Sequence, residues 1–491
     1  MSSVSKAGAG SRRAAILAAG PAAWLLLRFA APSALSPAAA HVLGLTGWMA
    51  IWWIGEPVPL GATSLLPLVL FPLTGVASAK DAASPYANEL VFLFLAGFLL
   101  AAALERWNAH SRIAYAIVSK IGGGARRVVL GVMLATGFVS MWISNTAAAA
   151  MMYPIALAVG ALFGTGRAAD DFRTALMLGV AYSASIGGIG TLIGTPPNLI
   201  FAGAARQLAG REVSFAEYLL VGVPIAAVLL PLCWLLLVFA LFRGKVDLGR
   251  EARRTLEQRR AELGPFRGGE ARTALVFLLT VAAWLFRERK ELGAFTIPGL
   301  ADLAPGLSDA SVGLAGALLL FVIPDGSRPP ANRPLLVWRE AKEIPWEVLL
   351  LFGGGLSLAS AMESSGLARW LGERMGGLAG YPSILVFGGL AAFVLVLSEL
   401  ASNTAVAAMA MPIAASLAPA VGKPALALML VGALAASTGF ALPVATPPNA
   451  IVFGSRQVSV RQMAKAGILL DLLAIVVIVI AVTVLYPLVL G

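Results

Sequence analysis

The tripeptide Ser-Asn-Thr occurs twice, at 144–146 and 402–404, and each copy is followed by Thr-Pro-Pro-Asn, at 195–198 and 446–449. Hydroxyl and amide oxygens of this kind are the donors that hard cations take. A helix restarting after a break adds a row of unpaired N–H groups, which attracts anions, while the carbonyls ending the previous segment attract cations. The prolines suit the first turn of such a restarted helix, and Gly187, Gly188, Gly190 and Gly194 allow the chain to unwind before it. Gly439 and Pro443 precede the second copy in the same way. The chemistry on offer is therefore joint binding of a cation and an anion. No Lys, Arg or His lies in either tripeptide tip or either Thr-Pro-Pro-Asn loop, so an anion there is balanced by dipoles and bound cations. Sodium is the expected cation, because a proton needs a titratable carrier and the acid nearest a tip is Glu399. Glu399, Glu56 and Asp471 read mainly as structural groups, Glu399 as an ion pair or helix cap.

The repeat extends beyond the motifs. Residues 139–156 align without a gap on 397–414, and eleven of the eighteen positions are identical. The same offset carries Glu89 onto Glu347 and Glu105 onto Glu363, and it falls to 251 at the second motif. Two matching halves each supply part of one polar pocket.

That pocket sits in a very apolar chain. Of 491 residues 59% are hydrophobic and 12% charged, with a mean hydropathy of +0.86. Apolar runs near the ~20 residues needed to cross a bilayer recur throughout. They place spans at 14–31, 40–55, 60–77, 89–105, 174–190, 218–242, 272–286, 309–323, 346–362, 424–440 and 467–489, about eleven transmembrane helices. The stretches 127–163 and 383–418 carry Ser-Asn-Thr in their middle, where a lipid-facing helix gains nothing from it. They read as re-entrant helical hairpins with the tripeptide at the tip. The fold expected is an all-α polytopic membrane protein, an inverted-topology repeat with two re-entrant hairpins and two broken helices. Non-helical chain at that depth survives only beside a wet cavity or inside protein.

The net charge of +11 follows from basic segments at 106–126, 243–271, 325–342 and 456–465. The positive-inside rule places these in the cytoplasm with the amino terminus, in what is expected to be a bacterial inner (plasma) membrane. Loops 164–173 and 287–302 are nearly balanced in charge. The charged stretch 243–271 reads as a cytoplasmic linker. No aromatic and basic interleaving points to nucleic acid, and the single Cys233 excludes an intramolecular disulfide. A membrane hydrolase lacks its nucleophile and base, since His41 and His110 lie away from both motifs. An anion channel remains a competing class, to be separated by conductance without coupling.

Taken together, the paired motifs and Glu56-Pro-Val-Pro59 resemble the divalent anion/sodium symporter family of dicarboxylate, citrate and sulfate carriers, over most of the chain. The resemblance implies a homodimer working by an elevator motion. Scaffold parts 1–126 and 272–382 would stand still, while transport parts 127–242 and 383–491 move, joined through linker 243–271. It also implies two or more co-transported sodium ions. One is implied to bind Ser140, Ser144, Asn145 and backbone at Gly194, with Gly190 competing, and another Ser398, Ala401, Asn403 and backbone at Ala445. Substrate carboxylates are implied to bind Ser144, Asn145, Thr146, Ser402, Asn403, Thr404 and Thr446, beside Pro447. Two facing tips suit an anion charged at both ends, so succinate, malate or fumarate is favoured over citrate or sulfate. Family members that exchange anions without sodium are the alternative, and a cationic side chain suited to that is not seen at the tips.

Overall fold

The computed structural model describes all residues except 1–3, 122–123, 162–165, 245–260, 263, 267, 293–294, 328–331 and 375–379. Most of the expected linker 243–271 thus lies outside the described residues. The rest is mostly helical, with one short antiparallel hairpin, Lys290–Leu292 against Phe295–Ile297, in the loop expected at 287–302.

Among the described residues seven helices are long and apolar enough to cross a bilayer: Pro37–Gly55, Ala79–Arg106 counted through its short initial turns, Phe215–Leu241, Gly268–Leu285, Ser383–Leu400, Asn403–Val421 and Val460–Val489. Val476, Ile480 and Val484 lie one turn apart on the last of these and are exposed, an apolar stripe that water would not favour and lipid does. Helix Trp346–Ser364 bends by 74° into Leu367–Arg374, where Gly366 takes φ +81°. Several expected spans are shorter than apolarity alone implied. The run 60–77 splits into Leu60–Thr63 and Leu66–Thr74, with Pro67 opening the second piece. The run 424–440 stops as a helix at Ala436.

Both tripeptides sit where one helix ends and another begins. The first hairpin has arms Ala125–Ser140 and Asn145–Ala161, and the second has arms Ser383–Leu400 and Asn403–Val421. Beside each runs a broken helix, Arg167–Gly188 resuming as Pro196–Ala209, and Ala425–Ala436 resuming as Pro447–Gly454. Every residue from Thr174 to Gly188, and from Leu426 to Ala436, is buried. A helix apolar on all sides belongs inside protein, and that is where these two lie.

The packing is reciprocal. Segment Pro196–Ala209 packs on the second arm Asn403–Val421 and on Ala425–Ala436, while Pro447–Gly454 packs on the second arm Asn145–Ala161 and on Arg167–Gly188. Each half thereby completes the surroundings of the other half's tip.

Candidate functional site

Four helix N-termini begin at one cavity. Asn145, Pro196, Asn403 and Pro447 are the first residues of their helices, and all four line a space of about 1300 Å³. Ser144, Thr146, Gly194, Thr195, Ala401, Ser402, Thr404, Ala445 and Thr446 line it too. The structure therefore brings together every proposed site residue except Ser140 and Ser398, which are fully buried immediately behind it. Gly190, the competitor of Gly194, is also set back, packed against Met141.

Those two serines organise the tips in the same way. Ser140 Oγ lies 2.8 Å from Asn145 Oδ1 and 2.7 Å from the carbonyl of Ala184, and Ser398 Oγ lies 2.7 Å from Asn403 Oδ1 and 2.6 Å from the carbonyl of Ala436. One hydroxyl proton cannot serve both acceptors at once, so with the amide oxygen turned to the serine, a tip holds an oxygen pair without a hydrogen between them. At the first tip the Asn145 amide atom placed as oxygen lies 3.3 Å from Gly194 O and 3.1 Å from Ala184 O. Turning the amide makes Nδ2 the donor to these groups, and a small cation among the oxygens relieves the same conflict with the oxygen left in place. Gly188 leaves room for this amide, since a Cβ on it would stand 2.3 Å from Asn145 Oδ1 and force that side chain to move.

The asparagine of each Thr-Pro-Pro-Asn closes its own break. Asn198 Nδ2 donates to Gly188 O at 2.9 Å and Thr191 O at 2.7 Å, and Asn449 Nδ2 donates to Leu442 O at 3.0 Å and Phe440 O at 3.4 Å. Carbonyls freed by unwinding are thus satisfied without water. Thr446 caps its helix by accepting from Asn449 N–H at 3.2 Å.

The rim is acidic. Glu56, Glu105, Glu340, Glu343 and Glu347 line the mouth with one basic residue, Arg106, whose guanidinium is 2.6 Å from Glu340. Glu56, just past the end of its helix, has its carboxyl held above the usual carboxylate range by burial and by the Glu347 charge. Sequence reasoning missed this rim because its residues come from segments far apart in the chain. It also left out Thr195 and Pro196, although the duplicated motif pairs them with Thr446 and Pro447. Glu399 does not line the cavity; it caps backbone N–H groups of Ala441 and Leu442.

Known proteins resemble this chain along most of its length. Residues 12–491 match the family described as the sodium:sulfate symporter transmembrane region. The chain is 41% identical over 480 residues to the sodium-dependent dicarboxylate transporter SdcS of Staphylococcus aureus strains RF122 / ET3-1 and MSSA476, covering 96% of this chain and 91% of each relative. The crystal structure of the Alcanivorax borkumensis YdaH transporter is similar in fold, with a TM-score of 0.52 at 12% identity, over 86% of this chain and 89% of that one. The chain therefore belongs to the sodium:sulfate symporter family, the divalent anion/sodium symporters, and is an integral membrane transporter rather than an enzyme.

Proposed function

We propose that this protein is a sodium-coupled symporter of divalent anions, with C4-dicarboxylates such as succinate, malate and fumarate as substrates. The observation that carries the reading is the convergence of four helix N-termini on one cavity whose single basic side chain, among the described residues, is already paired. The N–H ends and the Ser-Asn-Thr hydroxyls and amides receive the two carboxylates of the substrate. Oxygen clusters behind the tips receive sodium, one at Ser140, Ser144, Asn145 and Gly194, the other at Ser398, Ala401, Asn403 and Ala445. Substrate and cation then stabilise one another, because a dianion in a dry site without a counter-charge is very costly. The 41% identity to proteins named sodium-dependent dicarboxylate transporters supports both cation and cargo.

Matching hydrogen bonds at the two tips and the reciprocal packing support an inverted repeat with re-entrant hairpins. The proposed working form is a homodimer in which parts 127–242 and 383–491 move as an elevator against 1–126 and 272–382. Arg106, Glu340 and Glu343 at the mouth belong to, or adjoin, segments read as cytoplasmic, so this state opens inward.

Uptake of labelled succinate into proteoliposomes tests the function. An inward sodium gradient should drive accumulation, with about 2.3 kcal/mol added per net charge by each 100 mV of potential. Uptake that ignores sodium but requires internal dicarboxylate would make the protein an exchanger and reject the proposal.

A further inference from the structure

The two helix breaks share their backbone pairing, and the second adds carboxylates to it. In the first, backbone pairs with backbone: Ile189 N–H donates to Ile186 O at 3.2 Å, Gly190 N–H to Gly187 O at 2.8 Å, and Gly194 N–H to Thr191 O at 3.3 Å. The second has matching backbone pairs, Ser437 N–H to Leu434 O at 3.1 Å and Thr438 N–H to Ala435 O at 3.2 Å, and there three successive N–H groups further along also turn to carboxylates. Glu399 accepts from Ala441 N–H at 2.8 Å and from Leu442 N–H at 2.8 Å, while Asp471 Oδ1 accepts from Phe440 N–H at 3.2 Å. Both acids are buried, at 8% and 6% exposure. A run of N–H groups facing one concavity is an anion-binding device, and here the protein fills it with its own side chains.

Asp471 belongs to the last helix, Val460–Val489, and Gly467 one turn earlier touches the same segment: a Cβ there would be 2.3 Å from Ala441 Cα. The first half repeats the contact without the charge. Gly222 of helix Phe215–Leu235 abuts Ile189, where an added Cβ would be 2.5 Å from the carbonyl oxygen. Four residues on, Ala226 stands where Asp471 does, and Met141 stands where Glu399 does. The carboxyl clamp is a feature of the second half.

The clamped turn leads directly to the second tip. Ala445 N–H donates to Leu442 O at 3.2 Å. Gly439 adjoins both clamp and tip, for a Cβ on it would be in ordinary contact with Ala445 Cβ at 3.4 Å and with Glu399 Oε1 and the Ser398 carbonyl at 3.5 Å. We propose that Asp471 is a positioning residue for the second cation site: it ties the last helix to the unwound turn and so fixes where the Ala445 carbonyl and the Ser398–Asn403 pair sit. The inference rests on the reading that Ser398, Ala401, Asn403 and Ala445 hold sodium.

The test uses the full chain in proteoliposomes, with succinate uptake measured against sodium concentration and KM for succinate measured at saturating sodium. Asp471→Leu should raise the half-saturating sodium concentration tenfold or more and lower the Hill coefficient, with KM at saturating sodium changed less than twofold. Asp471→Asn keeps an acceptor for Phe440 N–H and should stay within threefold of the parent sodium curve. Asp471→Ser, too short to reach Phe440, should reproduce the Asp471→Leu defect and serves if that variant does not fold. A parent-like sodium curve in Asp471→Leu or Asp471→Ser, or an equal defect in Asp471→Asn, overturns the inference. Ser398→Ala separates the two levels. If it shifts the sodium curve while the Asp471 variants do not, only the clamp is wrong; if it does not, the cation-site reading fails.

Discussion

Replacing Asn145 by alanine removes the side-chain amide at the centre of the first tip, whose oxygen the proposal assigns to the cation. The amide is 2.8 Å from Ser140 Oγ and adjoins the carbonyls of Gly194 and Ala184. A polar contact to a charged group is worth about 1.5–3 kcal/mol. At 1.4 kcal/mol per decade, losing one cation ligand should weaken sodium binding by roughly 10- to 140-fold. The fold should survive, because Asn145 is only half-buried and Ser140 keeps its bond to Ala184 O. Sodium titration of succinate uptake should therefore show a half-saturating concentration raised by at least tenfold, and a Hill coefficient falling toward one as the second site acts alone. Sodium-induced stabilisation of the purified protein should weaken in parallel. A variant that is folded and keeps its sodium curve within twofold of the parent would refute the reasoning.

Asn403→Ala should give a sodium defect of the same size, since Ser398 and Asn403 repeat the first tip; normal sodium dependence would leave only one cation site. Gly188→Ala should abolish sodium-dependent uptake without loss of the folded protein, because its Cβ would stand 2.3 Å from Asn145 Oδ1 and expel that side chain; unchanged uptake would contradict the close packing. Burial holds the pKa of His110 below its ordinary value of 6.5. The folded state then binds fewer protons than the unfolded state below that pH, so stability is complete above it and declines as pH falls toward the folded pKa. Thermal unfolding should thus shift to lower temperature between pH 7.5 and 5.5, by less in His110→Gln, and an identical shift in the variant would exclude His110 as the cause.

Much of the site was legible because its parts are duplicated. Two copies of Ser-Asn-Thr in register marked both tips, and two Pro-Pro pairs marked the restarted helices at Pro196 and Pro447. Apolarity was a weaker guide to helix ends. Residues 437–440 are as buried as the helix before them, yet the chain unwinds there, and hydropathy does not separate buried helix from buried coil. The break within 60–77 follows from local chemistry, Pro67 and the side chain of Ser64 bonding back to Leu60 O at 2.8 Å. The acidic rim and the Glu399–Asp471 clamp are tertiary features. Glu340 meets Arg106 from 234 positions away, and no periodicity in either segment encodes that meeting.

The central claim is that cations complete the anion site, and binding of labelled succinate to the purified protein tests it most directly. In sodium chloride binding should saturate, and in choline chloride at equal ionic strength it should fall at least tenfold. Equal affinity in the two salts would contradict the account.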